Sequence, residues 1–251
     1  MLVTAGARGI GLAIAKAFHD NGARLYICDI DTDALKQFYN ARPDTHVRTT
    51  NISDSSQVDA LFDSVKQALS GLDVLVNNAG IAGPTKPVDE ITDAEWRDTL
   101  GVNIDSQFYC TRRAVPLLKA AGGGSIVNIA STAGIMGYPM RLPYAVAKWG
   151  VVGLTKTLAM ELGEHNIRVN AICPGAVKGP RMDSVIVAEA AAGGASEDAI
   201  REGYLRQTSL RTFIDADDIA HAALFLSSVV GSKITGQALG VDANTETLRT
   251  L

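Results

Sequence analysis

Short apolar runs alternate with longer stretches of helical period along this chain of 251 residues. The apolar runs predict strands over Leu2–Ala5, Arg24–Asp29, His46–Asn51, Val74–Asn77, Ser125–Ala130, Arg168–Cys173 and Ala238–Val241. Most are nearly continuous in apolar residues, as a strand covered by helices on both faces requires. Between the first two, Ile10, Ile14, Ala17 and Phe18 recur at helical spacing, and Asn21-Gly22 closes that helix. Thr92-Asp-Ala-Glu95 and Asp215-Ala-Asp-Asp218 have the form of capping boxes and open two further helices. Strand and helix in alternation predict parallel strands joined by crossover helices, an α/β doubly wound sheet. No repeat, low-complexity tract or linker divides the chain, so residues 1–251 read as one domain. The segment Ala188–Ser196 (AEAAAGGAS) is small and flexible in character. It follows the sixth strand and is expected to overhang the carboxyl ends of the sheet, where open parallel sheets bind ligands.

Composition narrows the function. An apolar content of 47% is enough for one large core. A net charge of −4 and no block of Lys or Arg argue against nucleic acid or a membrane surface as partner. Cys28, Cys110 and Cys173 are odd in number, far apart and outside any CxxC spacing, so they read as reduced thiols. His19, His46, His165 and His221 are isolated, and no metal-ligand spacing surrounds them. The first strand starts at Leu2, which leaves no room for a signal peptide, and no apolar run is long enough to span a bilayer. A cytoplasmic protein is expected.

Two motifs carry chemistry. The first is TAGARGIG, Thr4 to Gly11, running from the first strand into a helix. Glycines there permit a tight turn and let backbone amides and a helix N-terminus approach a pyrophosphate. An acidic residue, Asp29, ends the second strand in LYICDID. A carboxylate at that point accepts hydrogen bonds from both ribose hydroxyls of NAD and repels the 2′-phosphate of NADP. Arg8 pulls the other way, since a guanidinium in the turn can pair with a 2′-phosphate, but Ile30 rather than an arginine follows Asp29. NAD(H) is therefore the expected cofactor.

The second motif is YAVAK, with Tyr144 and Lys148 at i and i+4 on one helical face, thirteen positions (144 − 131) after Ser131. A lysine cation beside a tyrosine favours the phenolate, lowering a pKa that starts near ~10. That gives a proton donor and acceptor usable near neutral pH. Ser131, at the end of SIVNIAS, is placed to hydrogen-bond the oxygen that gains or loses the proton. Each residue alone has a bland reading: a helix tyrosine, a solvated lysine, a serine capping a loop. Their convergence with a nucleotide turn favours a site. Arg141 and Arg181 are candidates to reach the substrate mouth and grip an anionic group, because a guanidinium pairs bidentately with carboxylate, phosphate or sulfonate. The alternative is two exposed or structural arginines.

Taken together, TAGARGIG, NNAG (Asn77–Gly80), Asn103 in VNID, Ser131, YAVAK, Pro174-Gly175 and ITGQALGVD resemble the short-chain dehydrogenase/reductase family over essentially the whole chain. The resemblance implies a seven-stranded doubly wound sheet of the Rossmann type and reversible hydride transfer between a nicotinamide and a secondary alcohol or ketone. By the same likeness Ser131, Tyr144 and Lys148 are the catalytic trio, and Asn103 anchors a water feeding a proton relay through Lys148. Gly6, Arg8, Gly9, Ile10, Gly11, Asp29, Asn51, Ile52, Asn78, Ala79, Gly80, Tyr144, Lys148, Pro174, Gly175 and Val177 would line the cofactor. A lid from Arg181 to about Thr212 would cover the substrate, and a homotetramer is implied. Four departures stand out: Ala5 replaces the first glycine, Asn51 an aspartate that accepts from the adenine amino group, Gly179 a threonine near the carboxamide, and VDAN a VDGG. Substrates left open are 3-oxoacyl thioesters, sugars or polyols, hydroxy acids and cyclic alcohols. The reading from another class is a nucleotide-binding regulator that kept the fold without the chemistry.

Overall fold

A computed structural model describes residues 1–248. Seven parallel strands form one sheet in the order β3-β2-β1-β4-β5-β6-β7. They are β1 (Leu2–Thr4), β2 (Tyr26–Asp29), β3 (His46–Thr49), β4 (Val74–Asn77), β5 (Gly124–Ile129), β6 (Ile167–Pro174) and β7 (Ala238–Val241). Each falls within two residues of its expected bounds at either end. Helices α1 (Gly9–Asp20), α2 (Thr32–Ala41), α3 (Ser55–Leu69), α4 (Asp93–Leu100), α5 (Ser106–Ala120), α6 (Leu142–Leu162), α7 (Pro180–Gly193), α8 (Glu197–Arg206) and α9 (Ala216–Ser227) connect or flank the strands.

The near-continuous apolar strands have the two-faced burial that their composition demands. Val3, Ile27, Val76, Val127 and Ile172 point to one face, where Ile14 and Phe18 of α1, Phe38 of α2 and Ile219 and Ala223 of α9 cover them. Their neighbours Leu2, Tyr26, Leu75, Ile126 and Val169 point to the other, under Leu61, Phe62 and Val65 of α3, Leu118 of α5 and Leu162 of α6. Each such large side chain removed from water contributes about 1.5–3 kcal/mol, so the two layers carry most of the stability.

Both expected capping boxes open helices. The Glu95 carboxylate accepts from Thr92 N at 2.9 Å ahead of α4, and the Asp218 carboxylate accepts from Asp215 N at 2.9 Å ahead of α9. One expectation fails. Ala188–Ser196 is not a loose small-residue tract: it completes α7, stops at Gly194 with φ 67, and ends on Ser196, whose Oγ caps α8 by accepting from Ala199 N. Alanines at 190–192 are strong helix formers, and Val185, Ile186 and Ala190 give the helix a buried face.

Strand order reverses between β1 and β4, which opens a crevice at their carboxyl ends. Thr4, the last residue of β1, secures that point. Its Oγ1 accepts from Asn78 N at 3.0 Å and Ala79 N at 3.1 Å, while Asn78 Nδ2 donates to the Thr4 and Ala5 carbonyls, each at 3.0 Å. A buried polar ladder braces the layer beneath. Asn77 Nδ2 donates to Thr111 Oγ1 at 3.0 Å and to Asn128 Oδ1 at 2.9 Å, and Asn128 Nδ2 donates to Thr155 Oγ1 at 2.9 Å. It joins α5, β4, β5 and α6. Replacing Asn128 with Ala strands a donor of Asn77 and the acceptor of Thr155 in the core, a cost of about 2–4 kcal/mol. Urea unfolding should show this as a midpoint lowered without a change of slope; an unmoved midpoint shows the ladder to be dispensable.

Candidate active site

The turn after β1 presents its backbone to an open space. The Ala7 amide donates to Asp29 Oδ2 at 3.1 Å, and Asp31 N donates to Asp29 Oδ1 at 3.1 Å, so the carboxylate stands fixed beside the turn. No side chain caps α1 and no acidic residue lies in its first turn, which leaves its positive N-terminal end free for an anion. Gly11 must be glycine: a side-chain carbon there would meet the Ala5 carbonyl oxygen at 2.1 Å. Ala5, in place of the usual glycine, makes the same turn by adopting φ 49. A dinucleotide therefore fits this cradle on the turn's geometry and the helix end.

Two cofactor expectations change at the level of side chains. Arg8 does not lie free for a phosphate; its guanidinium pairs with Asp31 at 2.6 Å. The Asn51 amide oxygen, expected to face adenine, instead accepts from Ser53 N at 3.1 Å and Ser53 Oγ at 2.7 Å. The neighbouring Ile52 is buried in the core. At the far side of the crevice Gly175 N donates to the Val241 carbonyl at 3.1 Å, and Val177 bridges to Ile214. Gly179 has φ 132 and ψ 177, a region essentially reserved for glycine, which explains why no threonine stands there. Cys173, beside Pro174, is wholly buried and burial pushes its thiol up to about 11, an inert thiol.

Ser131, Tyr144 and Lys148 converge at the end of β5. Ser131 caps a short 3₁₀ turn, its Oγ accepting from Ala133 N at 3.1 Å, and its hydroxyl acts on the Tyr144 phenol. Helix α6 begins at Leu142 with a proline in its first turn, so Tyr144 lies one turn before Lys148 on the inward face. The Lys148 ammonium is 2% exposed, donates to the Ile129 carbonyl at 2.8 Å and lies 5.7 Å from the centre of the Tyr144 ring. Desolvation pushes the Tyr144 phenol up, but the Lys148, Arg181 and Arg141 cations and the Ser131 hydrogen bond together outweigh it. The net result is a phenol below its usual value, suited to proton exchange. Burial draws Lys148 itself down to about 8, against the opposing pull of Tyr144.

Asn103 sits in a single π-helical turn, Gly101–Asp105, between α4 and α5. Its Nδ2 donates to Thr99 O at 2.8 Å and Ile81 O at 3.1 Å, which turns Oδ1 inward, buried and without a partner. A side-chain carbon placed on Gly80 would stand 2.6 Å from that oxygen and 3.5 Å from Lys148 Nζ, so both groups flank one small space. π-Turns inside helices often mark such sites.

The two arginines separate. Arg141, expected at the mouth, is 2% exposed: Nη2 donates to the Ala82 carbonyl at 2.8 Å, and the guanidinium lies over the rings of Tyr138 and Tyr144. Arg181 is exposed, donates to the Gly80 carbonyl at 3.0 Å and lies 5.9 Å from the Tyr144 ring centre. Sequence reasoning missed Tyr138, Glu189 and Tyr204. Glu189 Oε1 accepts from Tyr138 Oη at 2.8 Å and Tyr204 Oη at 2.7 Å, with Arg141 Nη1 at 3.8 Å. Its spacing from Val185 and Ile186 would have marked Glu189 as a buried acid had the helix been recognised.

A family model described as enoyl-(acyl carrier protein) reductase matches residues 4–243. A 3alpha-hydroxysteroid dehydrogenase of Mediterraneibacter gnavus is 36% identical over 247 residues, covering 96% of this chain and 94% of its own. A trans-4-hydroxycyclohexanecarboxylate dehydrogenase of Sinomonas cyclohexanicum is 37% identical over 251 residues, covering 96% and 90%. Among solved structures, an actinorhodin polyketide ketoreductase variant with NADPH superposes with a TM-score of 0.92 at 31% identity, covering 96% and 95%.

The buried ammonium has a measurable cost. Because folding lowers the Lys148 pKa from 10.5 to about 8, the folded chain binds fewer protons than the unfolded one between those values, and stability rises with pH across that window. Below pH 8 the whole penalty applies, at most about 3 kcal/mol for this shift. Lys148→Met should therefore unfold at higher urea than the parent at pH 7, with the advantage fading by pH 10.5. A variant midpoint at or below the parent's at pH 7 refutes the burial cost.

Proposed function

The chain belongs to the short-chain dehydrogenase/reductase family and is an NAD(P)-dependent oxidoreductase of alcohols and ketones; on that premise we propose that Tyr144 is its proton donor and acceptor, oriented by Ser131 and kept acidic by Lys148, and that NAD(H) is the preferred cofactor. The observation that carries the proposal is the buried Lys148 ammonium held 5.7 Å from the centre of the Tyr144 ring, beside the Ser131 hydroxyl that also favours the phenolate. In oxidation the Tyr144 phenolate takes the hydroxyl proton of a secondary alcohol, while Ser131 hydrogen-bonds the same oxygen. In reduction the Tyr144 phenol returns a proton to the carbonyl oxygen. A bound nicotinamide dinucleotide supplies the carbon that accepts or donates hydride. The unpartnered Asn103 Oδ1 beside Lys148 supports a role in passing the proton onward to water.

For the cofactor, Gly6, Gly9, Ile10 and Gly11 with the α1 N-terminus would hold the pyrophosphate, and Asp29 the adenosine ribose. Asn78, Ala79 and Gly80 would flank the nicotinamide ribose with Tyr144 and Lys148, and Pro174, Gly175 and Val177 the carboxamide. The Asp29 carboxylate supports NAD over NADP, and so does the Arg8–Asp31 pair, which engages the guanidinium of the turn. α7 and α8, spanning most of Arg181 to Thr212, would close on the substrate as a lid. Exposed Phe108, Trp149 and Met160 on α5 and α6 support a homotetramer built on those helices. Three buried free cysteines suit a reducing cytoplasm.

Tyr144→Phe should lower alcohol oxidation by about 10³-fold or more, and Ser131→Ala by about 10²-fold, with NADH binding by fluorescence retained in both. Loss of NADH binding together with turnover in Tyr144→Phe would falsify the proton-transfer role. NAD should exceed NADP in kcat/KM by about tenfold or more, equivalent to about 1.4 kcal/mol, and Asp29→Asn should narrow the ratio. A parent enzyme faster with NADP overturns the preference.

A further inference from the structure

We infer that the mouth of this site grips a carboxylate on its substrate through the guanidinium of Arg181, which makes the substrate class hydroxy acids and their oxo acids. This rests on the Tyr144 reading above and adds the substrate's second anchor.

Lys148, Arg141 and Arg181 all lie within 5.9 Å of the centre of one ring, that of Tyr144. Glu189, the carboxylate paired with Arg141, is already engaged: its Oε1 accepts from the hydroxyls of Tyr138 and Tyr204, and its Oε2 is buried. Three cations gathered on one ring, with Glu189 committed to two tyrosines, make this spot positive in a chain whose net charge is −4. A low-dielectric cleft lined by one sign of charge concentrates the opposite ion.

The three cations are not equivalent. Lys148 and Arg141 are each 2% exposed and spend donors on the Ile129 and Ala82 carbonyls. Arg181 is exposed and uses Nη1 on the Gly80 carbonyl, 5.9 Å from the Tyr144 ring centre, and its other N–H groups have no hydrogen-bond or ion-pair partner among the described residues. The other acids of α7 are committed elsewhere, Asp183 to Arg201 at 2.8 Å and Glu189 to the two tyrosines. A planar guanidinium with an open edge pairs bidentately with a carboxylate, and a hydroxyl on the same substrate can then lie against Tyr144.

The buried cluster sets where Arg181 stands. Glu189 lies two helical turns beyond Arg181 on α7 and ties that helix to the loop before α6 through Tyr138 and to α8 through Tyr204. The two hydroxyls also meet each other at 2.6 Å. Burial raises both phenols, so they remain donors across the ordinary pH range. Arg141 backs the cluster, with Nε and Nη1 buried and unsatisfied. Such a network fixes α7, and with it the height of Arg181 above the phenol.

The test compares acids with their methyl esters: 3-hydroxybutyrate and trans-4-hydroxycyclohexanecarboxylate, each with its ester, assayed with the full-length enzyme and NAD⁺. The parent should favour the acids by about 10- to 100-fold in kcat/KM, through KM. Arg181→Ala should abolish that preference, its loss in kcat/KM on the acids exceeding its loss on the esters by about 10- to 100-fold, and Arg181→Lys should restore part of it. Equal losses on acid and ester, or a parent that prefers esters, overturn the anion grip and leave the Tyr144 chemistry standing. So does a shift of the kcat–pH profile in Arg181→Ala at constant acid-to-ester ratio, which assigns Arg181 to the phenol alone. Failure on every alcohol and ketone of a broad panel removes both readings.

Discussion

Everything at this site depends on keeping an ammonium in the dry interior next to a phenol. Lys148 is almost wholly buried, and its cost of desolvation is visible in the fall of its pKa to about 8. A carbonyl hydrogen bond to Ile129, the neighbouring Tyr144 and, to a smaller degree, Cys173 offset that cost. The same field that makes the lysine expensive makes the tyrosine useful, because the cation favours the phenolate. Stability is given up at the ammonium, and the phenol beside it ionises more readily.

The fold is arranged to hold that pair still. Strand β5 ends at the carbonyl that receives Lys148, Ser131 follows two residues later, and α6 returns to place Tyr144 over it. The ladder from Thr111 through Asn77 and Asn128 to Thr155 ties α6 to the sheet without any charged group, so it adds rigidity and leaves the field of the site unchanged. Thr4 does the equivalent at the other edge of β4, binding the Asn78-Ala79 backbone to the end of β1. Both anchors lie at the reversal of strand order, where the chain leaves a crevice uncovered.

The strands and the Ser131–Tyr144–Lys148 set were legible because each obeys a local rule: apolar runs for doubly covered strands, i,i+4 spacing for a shared helical face. Arg141, Asn51 and α7 were not, for a common reason. A long polar side chain is placed by partners far away in sequence: Arg141 by the Ala82 carbonyl and Glu189, across 59 and 48 positions (141 − 82 and 189 − 141). Asn51 kept its oxygen for its own loop, an alternative that short amide side chains always offer. In α7 the run of alanine and glycine suggested flexibility, but helix propensity and the buried face of Val185 and Ile186 decided the outcome.

The departures from family motifs show how far backbone geometry outranks residue identity. Ala5 stands where a glycine is usual and adopts φ 49; Ala243 and Asn244, in place of two glycines, each adopt φ 55. An alanine in that left-handed region costs roughly 1–2 kcal/mol, whereas asparagine enters it more readily. The turns at both ends of the crevice therefore persist against local preference. The neighbouring constraints are stronger: Gly11 has no room for a side chain beside the Ala5 carbonyl, and a side-chain carbon on Gly175 would stand 2.9 Å from the Asp242 Cα. Where two backbones must approach that closely, the turn is dictated by the approach, and a strained alanine is tolerated because every unstrained alternative would displace the cradle.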